Sequence, residues 1–219
     1  MEFLIIDTEH GGFDFAVLSA LIMSARLCGL KTILRLPDNR RRDITRMMDM
    51  GADGLLLPMT DCAADIREVV KYAKYAPIGK RGISTTRAHT FYNPPPLGEY
   101  MQTANERTMV FAQIETVAGL DAVEDILAVE GVTGALVGPN DLSCDLDCMG
   151  SEEPVLQAID RVAQAARHAG REAGVITGND AYLRRAMAGG MRYLCVGSEL
   201  HMLLDGARHV AQKIDAMDV

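Results

Sequence analysis

The chain has 219 residues, of which 48% are hydrophobic and 24% are charged, the proportions of a globular protein with a buried core. We therefore expect a single domain spanning residues 1–219. The formal net charge of -8 argues against a nucleic-acid partner, because binding to phosphates requires a basic surface. No apolar run in the sequence approaches the ~20 residues of a transmembrane helix, so no membrane partner is expected.

The five cysteines are spread over different predicted elements and follow no secretory signal peptide. A disulfide framework is therefore not expected, and we interpret the chain as a cytoplasmic protein with reduced thiols. Cys144 and Cys148 have the spacing of half a zinc site. No second Cys/His pair follows at the spacing of such a site, so a structural zinc is not expected.

Seven short apolar runs alternate with helical patterns along the chain. The runs predict strands at residues 3–6, 32–36, 54–58, 109–114, 134–137, 172–176 and 193–196. Apolar residues at i, i+3, i+4 and i+7 predict helices at residues 15–27, 66–75, 117–129, 155–168 and 180–188. Repeated βα units imply a parallel sheet covered by helices, which places the chain in the α/β class.

Polar or reactive residues follow almost every predicted strand, which favours a closed barrel over an open sheet. An open sheet concentrates its site at one switch point, whereas a TIM (β/α)8 barrel collects polar groups from most strands at one rim. Such a barrel needs eight strands and typically ~250 residues. The sequence therefore predicts a TIM-type barrel without its first βα unit, either because the start is truncated or because the barrel is completed in an unusual way.

The connection at residues 77–96 is too long for an ordinary turn between a strand and a helix. It carries several basic residues and ends on three consecutive prolines. We predict that it forms a lid or an arm between subunits.

Two carboxylates, Glu115 and Asp141, follow consecutive predicted strands. In a barrel they point toward the same part of the rim, where one or two carboxylates together with water suit a hard cation such as Mg²⁺ or Mn²⁺. The alternative is that each carboxylate caps the next helix or pairs with an arginine.

The turn Gly138-Pro139-Asn140-Asp141 could hold a carboxylate group of a substrate. Asn140 and Asp141 supply adjacent backbone N–H groups, whereas Pro139 supplies none. A 2-oxo acid bound there could also chelate the metal through its keto and carboxylate oxygens.

Arg35 and His10 are the candidate catalytic side chains. Arg35 interrupts an apolar strand and could stabilise the oxygen of a developing enolate, or it could pair with an inner carboxylate. His10 follows the first strand in Asp-Thr-Glu-His-Gly-Gly, where two glycines permit a tight loop over the barrel mouth. We predict that Asp49, near the end of a later helix, orients this imidazole.

Other reaction classes have less support in the sequence. None of the five lysines ends a predicted strand, which argues against a Schiff-base aldolase, and neither a Walker loop nor a Gly-x-Gly-x-x-Gly fingerprint indicates ATP or NAD. The glycines at Gly178 and Gly197-Ser198 could hold a phosphate or could simply form tight turns.

The motifs of the whole chain resemble one family. Asp7-Thr8-Glu9-His10-Gly11, Arg35, Leu57-Pro58-Met59, Lys80-Arg81-Gly82, Gln113-Ile114-Glu115 and Gly138-Pro139-Asn140-Asp141-Leu142-Ser143 occur in the order and spacing of the HpcH/HpaI metal-dependent class II pyruvate aldolases. This family belongs to the phosphoenolpyruvate/pyruvate-binding barrel superfamily.

The resemblance implies a role for each matching residue. Glu115 and Asp141 would bind Mg²⁺ or Mn²⁺, Arg35 would stabilise the enolate, and His10 supported by Asp49 would transfer protons. The site would also include Gln113, and the backbone at Asn140 and Asp141 would hold the carboxylate of pyruvate. The resemblance further implies a homohexamer whose last helix, after Ser198, is exchanged between subunits.

We therefore expect a lyase that cleaves or forms the C3–C4 bond of a 4-hydroxy-2-oxo acid, with a 2-oxo acid and an aldehyde as its small-molecule partners. One alternative is a citrate-synthase-like condensation of an acyl-CoA with a 2-oxo acid, as in siderophore pathways. Another is a non-catalytic homologue that binds a 2-oxo acid.

Overall fold

The computed structural model describes residues 1–217, in which seven strands alternate with helices. The strands are β1 (Phe3–Asp7), β2 (Lys31–Arg35), β3 (Gly54–Leu57), β4 (Met109–Ile114), β5 (Gly134–Val137), β6 (Glu172–Ile176) and β7 (Tyr193–Cys195). The helices are α1 (Phe15–Leu27), α2 (Arg41–Met50), α3 (Ala63–Ala73), α4 (Leu97–Arg107), α5 (Val117–Asp121), α6 (Val123–Leu127), α7 (Pro139–Asp145), α8 (Glu153–Ala169), α9 (Asp180–Ala188) and α10 (Glu199–Asp215).

The strands form one parallel sheet in the order β1-β2-β3-β4-β5-β6-β7. This near-closed barrel with alternating helices confirms the predicted TIM-type architecture. The two edge strands, β1 and β7, approach each other through Phe3 and Tyr193, whose ring centroids are 5.7 Å apart. All seven predicted strands are present, with bounds that differ by no more than two residues at either end.

Two hydrophobic clusters stabilise the barrel. The smaller one fills the inside of the barrel with one buried side chain from each of four neighbouring strands, Ile33, Leu56, Phe111 and Leu136. The larger one lies between the sheet and the surrounding helices. Because both faces of the sheet are buried, the central strands read as continuous apolar runs rather than as alternating patterns.

One predicted helix is divided in the structure. Residues 117–129 form α5 and α6, separated by a turn at Ala122 where ψ is 8°. Gly119 of α5 lies so close to the barrel that an added Cβ would be 2.3 Å from the carbonyl oxygen of Thr60. This close contact fixes α5 against the loop that follows β3, which apolar spacing alone does not reveal.

The segment at residues 77–96 packs at the amino ends of the strands. Its short 3₁₀ helix, Ala88–Thr90, places His89 against Asp49, which lies near the carboxyl end of α2. This anchored part of the segment therefore lies away from the rim that carries Glu115, and its role as a lid or as an arm between subunits stays a prediction. The physical reason is the ion pair between Arg81 and Asp49, which ties the segment to α2.

Helix α10 extends from the barrel and has no buried residue. Within residues 1–217, no helix has both the length and the apolar character needed to span a membrane.

Candidate active site

The carboxyl ends of β1 and β2 bring an arginine between two carboxylates. Asp7 is the register partner of Arg35, and the Arg35 Nε and Nη2 atoms donate to the two Asp7 carboxylate oxygens at 3.0 and 2.6 Å. The Arg35 Nη1 atom lies 3.2 Å from Glu9 Oε2. A guanidinium has five N–H donors, so these three contacts leave two N–H groups free for a substrate.

Electrostatics keep this ion cluster charged. Burial lowers the pKa of Arg35, but the hydrogen bond to Asp7 and the charges of Asp7, Glu9 and Glu115 outweigh it and raise the pKa above its ordinary value. Burial raises the pKa of Asp7, but the hydrogen bonds from Arg35 and from the backbone of His10 and Glu9 outweigh it and hold the pKa below 3.8. Arg35 therefore remains a fixed positive charge on the rim.

Glu115 follows β4 and is only 2% exposed. Its Oε1 atom accepts a hydrogen bond from the backbone N–H of Met59 at 2.7 Å, and its Oε2 atom accepts one from the Gln113 side chain at 2.5 Å. Burial raises the pKa of Glu115, and the negative charges of Asp141 and Glu9 raise it further. Among residues 1–217, the buried Oε1 atom of Gln113 has no hydrogen-bond partner.

The turn after β5 supplies the rest of the rim. Pro139 is the first residue of α7, and Asn140 and Asp141 follow it in the first turn, where backbone N–H groups lack partners within the helix. Gly138 is buried beneath the site, and an added Cβ there would be 2.6 Å from Glu115 Oε2. A side chain at this position would displace the carboxylate.

His10 lies on the loop after β1, with 71% of its side chain exposed. Asp7 Oδ1 accepts hydrogen bonds from the backbone N–H groups of Glu9 and His10, which fixes this loop. The His10 Nε2 atom lies 3.7 Å from Glu9 Oε2. Glu9 is thus the carboxylate beside this imidazole.

Asp49 is not beside His10 within this chain. It lies near the carboxyl end of α2, which leads to the amino end of β3, whereas His10 follows the carboxyl end of β1. Its carboxylate accepts from Arg81 Nη2 at 2.8 Å and lies 3.8 Å from His89 Nδ1. Within one chain the barrel therefore separates Asp49 from His10, and the role of Asp49 in supporting His10 stays a prediction.

No role for Asp7, Glu9 or the backbone N–H of Met59 was predicted from the sequence. The first two belong to the Asp-Thr-Glu-His motif at the end of β1, and this position at a strand end was the available signal, since polar groups collect there in a barrel. The Met59 contact had no signal in the sequence, because it depends on the left-handed backbone at that residue, where φ is 45°.

The rim has the charge balance of a cation site. The carboxylates of Asp7, Glu9 and Glu115 lie close enough to Arg35 to raise its pKa, and the charges of Asp141 and Glu9 add to the effect of burial in raising the pKa of Glu115. In residues 1–217, no group of three or more His, Cys, Asp or Glu side chains is arranged to hold a metal. Two carboxylates with open positions fit Mg²⁺ or Mn²⁺ better than zinc.

Comparison with known proteins identifies the family. The profile of the family described as HpcH/HpaI aldolase/citrate lyase matches residues 1–206. The chain belongs to this family. A curated relative, the hydroxypyruvate/pyruvate aldolase of Roseovarius nubinhibens, is 37% identical over 216 residues, which cover 97% of this chain and 83% of the relative. The HpcH/HpaI protein is therefore an aldolase-type lyase.

Solved structures agree with this assignment. The crystal structure of an HpcH/HpaI aldolase from Desulfitobacterium hafniense DCB-2 superposes with a TM-score of 0.92 at 30% identity, covering 98% of this chain and 83% of that one. The citrate synthase SbnG superposes with a TM-score of 0.82 at 27% identity, with coverages of 98% and 83%.

Proposed function

We propose that this HpcH/HpaI protein cleaves or forms the C3–C4 bond of a 4-hydroxy-2-oxo acid through a pyruvate enolate. The observation that supports the proposal is the buried carboxylate of Glu115 on the same rim as Asp141 and Arg35, a set of charges suited to a cation and an enolate oxygen. The products of cleavage are pyruvate and an aldehyde.

Glu115 and Asp141 are the proposed ligands of Mg²⁺ or Mn²⁺. Such an ion, when bound, supplies Lewis-acid polarisation of the keto group. The charges on the rim support this assignment: burial raises the pKa of Glu115 most, the charges of Asp141 and Glu9 raise it further, and a divalent cation would offset that repulsion. The unpartnered Gln113 Oε1 atom beside Glu115 offers an acceptor for water or substrate at the same place.

The first turn of α7 is the proposed carboxylate subsite. The N–H groups of Asn140 and Asp141 point out of the helix start and donate to the substrate carboxylate, while Pro139 and the buried Gly138 hold the turn against Glu115. This orientation directs the keto oxygen toward Glu115 and Arg35.

Arg35 and His10 carry the remaining steps. The two N–H groups of Arg35 that Asp7 and Glu9 leave free donate to the enolate oxygen as its charge develops. His10 removes the proton of the 4-hydroxyl group as the C3–C4 bond breaks, with Glu9 beside it to stabilise the imidazolium, and C3 of the enolate then takes up a proton to give pyruvate; addition follows the reverse order.

Proton exchange at the methyl group of pyruvate in D₂O, followed by NMR, tests the proposal. We expect exchange that requires Mg²⁺ or Mn²⁺, stops with a chelator, and falls at least about a hundredfold in Glu115→Gln. Glu153→Gln, an exposed change in α8, is the matched control and should exchange like the parent. Exchange that persists after complete metal removal would contradict the proposal.

The structural similarity to the citrate synthase SbnG supports a second candidate, a citrate-synthase-like condensation in which the α-carbon of an acyl-CoA loses a proton and adds to the keto carbon of a 2-oxo acid, and hydrolysis of the thioester releases CoA. Release of free CoA thiol from acetyl-CoA with oxaloacetate would support it. Aldehyde formation from a 4-hydroxy-2-oxo acid without any thiol release would exclude it.

A further inference from the structure

Two further carboxylates, Asp61 and Asp145, contact the residues that directly follow Glu115. They belong to different elements, since Asp61 lies on the loop after β3 and Asp145 is the last residue of α7. Both side chains are exposed, so neither is needed to fill the core. The reaction proposed above gives neither of them a role.

Asp145 binds the start of α5. Its Oδ2 atom accepts a hydrogen bond from the backbone N–H of Val117 at 2.6 Å. Val117 is the first residue of α5, and an N–H group at this position has no acceptor within its own helix. Asp145 therefore supplies the acceptor that α5 lacks, and it joins α7 to the chain two residues after Glu115.

Helix α7 also carries one of the proposed metal ligands. Asp141 and Asp145 are four residues apart in α7, so their side chains lie on the same face of that helix. Burial raises the pKa of Glu115 most, and the charge of Asp141 raises it further, which indicates that these two carboxylates are close together. The hydrogen bond from Val117 to Asp145 thus completes a ring of contacts that includes both Glu115 and Asp141.

Asp61 holds the same part of the chain from the other side. Thr116 Oγ1 accepts from the backbone N–H of Gly119 at 2.9 Å and donates its own proton to Asp61 Oδ1 at 2.6 Å. Two residues before Asp61, the backbone N–H of Met59 donates to Glu115 Oε1 at 2.7 Å. The loop after β3 therefore contacts both the carboxylate of Glu115 and the residue that follows it.

Each of these two contacts joins a carboxylate to a neutral donor. Hydrogen bonds to a charged acceptor are shorter and about twice as strong as those between neutral groups, in agreement with the two distances of 2.6 Å. The amide oxygen of asparagine can accept from the same donors without carrying a charge. Substitution by asparagine therefore separates the effect of the hydrogen bond from the effect of the charge.

We propose that Asp145 and Asp61 are positioning residues that fix Glu115 relative to Asp141. Asp145 acts through α5 and α7, and Asp61 acts through the loop after β3. The inference rests on the proposed function, in which Glu115 and Asp141 bind Mg²⁺ or Mn²⁺. Because an ion such as Mg²⁺ requires near-ideal octahedral geometry, a shift of one carboxylate against the other weakens binding.

Binding of Mn²⁺, followed by the EPR signal of the free ion, tests the role of Asp145 without any turnover. We expect Asp145→Ala to weaken binding by about tenfold to a hundredfold, as the loss of a group that orients a metal ligand typically does. Asp145→Asn, which keeps an oxygen acceptor for the N–H of Val117, should bind Mn²⁺ nearly as tightly as the parent. A loss of global stability alone would not change the affinity of the folded protein.

Two controls accompany this measurement. Glu115→Gln removes a proposed ligand, so the binding that it abolishes is the binding at the rim. Asp125→Ala removes an exposed carboxylate from α6 and changes the net charge by the same amount as Asp145→Ala. It should leave the affinity for Mn²⁺ unchanged.

The donor of the hydrogen bond to Asp145 can also be removed. Val117→Pro deletes the N–H group, and proline is well tolerated at the first position of a helix. Thr116 already has the extended backbone that a following proline favours, with φ of -129° and ψ of 158°. We expect Val117→Pro to weaken Mn²⁺ binding as Asp145→Ala does, and this variant tests the contact even if Asp145→Ala fails to fold. The double variant should bind no more weakly than either single variant, because both changes remove one contact.

The same comparison applies to Asp61. Asp61→Ala should weaken Mn²⁺ binding, whereas Asp61→Asn, which retains an acceptor for the Thr116 hydroxyl, should not. At limiting Mn²⁺, proton exchange of pyruvate should fall in parallel with the affinity in both alanine variants.

Two results would overturn this inference and leave the proposed function in place, provided that the parent binds Mn²⁺ and catalyses exchange. The first is parent-like affinity in Asp145→Ala and in Asp61→Ala. The second is asparagine variants that bind as weakly as the alanine variants, since charge rather than position would then be responsible. A parent that neither binds Mn²⁺ nor catalyses exchange would overturn the proposed function and this inference with it.

Discussion

Gly138 determines how closely the turn after β5 can approach Glu115. A Cβ at this position would be 2.6 Å from Glu115 Oε2 and 2.8 Å from Gln113 Nε2. We expect Gly138→Ala to shift both side chains and to reduce pyruvate proton exchange by about a hundredfold, as a misplacement of ~1 Å typically does. Gly98→Ala in α4, where a Cβ meets no atom within 4 Å, is the control. Parent-like exchange in a folded Gly138→Ala protein would show that the carboxylate position is not critical.

Asp7 links the stability of the rim to pH. Its folded pKa lies below its ordinary value of 3.8, chiefly because the hydrogen bond from Arg35 outweighs the effect of burial. The stabilisation is therefore present above pH 3.8 and is lost as the pH falls through the folded pKa. In denaturant unfolding, the parent should be more stable than Asp7→Asn near neutral pH, and this difference should shrink in acid.

The comparison of the parent with Asp7→Asn at decreasing pH needs a control that lies away from the rim. Asp205→Asn changes a carboxylate on the exposed helix α10 and should give a small difference at every pH. A difference between the parent and Asp7→Asn that stays constant down to pH 3 would contradict the linkage through Asp7.

The convergence of Glu115, Asp141 and Arg35 could be predicted from the sequence, because each follows or ends a strand of a parallel barrel and such ends meet at one rim. The position of Asp49 could not be predicted from the sequence. It lies near the end of a helix, and a helix end in a βα unit leads back to the other end of the sheet. Its carboxylate therefore contacts Arg81 and His89 in the long segment after α3.

At the scale of elements, the contact of Asp49 with Arg81 and His89 anchors the segment at residues 77–96 to α2. We expect Asp49→Asn to lower the free energy of unfolding by about 2 kcal/mol, because it leaves the buried charge of Arg81 without its ionic partner. Pyruvate proton exchange in the folded protein should be retained. The control, Asp205→Asn, breaks an exposed pair with Arg208 and should cost less than about 1 kcal/mol.

The same variant tests the role that the sequence suggested for Asp49. If Asp49→Asn abolished exchange without a loss of stability, Asp49 would act on His10 in catalysis, for example across an interface between subunits. Denaturant unfolding and exchange measured on the same preparation separate these outcomes.

Strands were easier to predict than the elements between them. Burial on both faces makes each strand a short apolar run, which the sequence shows directly. The division between α5 and α6 depends on the contact of Gly119 with the backbone at Thr60, and this tertiary contact leaves no periodic signal. The spacing of apolar residues in the sequence therefore predicts the strands of the barrel, but it does not predict where a helix around the barrel is interrupted.

At the scale of the whole molecule, helix α10 exposes several large apolar side chains and has no buried residue. Leu200, Leu203, Val210 and Ile214 are each more than half exposed, and their spacing of three, seven and four residues places them along one stripe. An unpartnered stripe of this kind fits the homo-oligomer, with exchanged last helices, that the family resemblance implies. Association would cover these side chains with a second copy of the chain.

We therefore expect the protein to form a homo-oligomer through α10, with a hexamer as the predicted state. Leu203→Glu combined with Val210→Glu should reduce the mass measured by light scattering, because burying two carboxylates in an apolar interface is unfavourable. Arg208→Glu combined with Gln212→Glu adds acidic residues outside the stripe and should preserve the parent mass. A parent protein that is monomeric, or a stripe variant that keeps the parent mass, would show that α10 does not hold the assembly together.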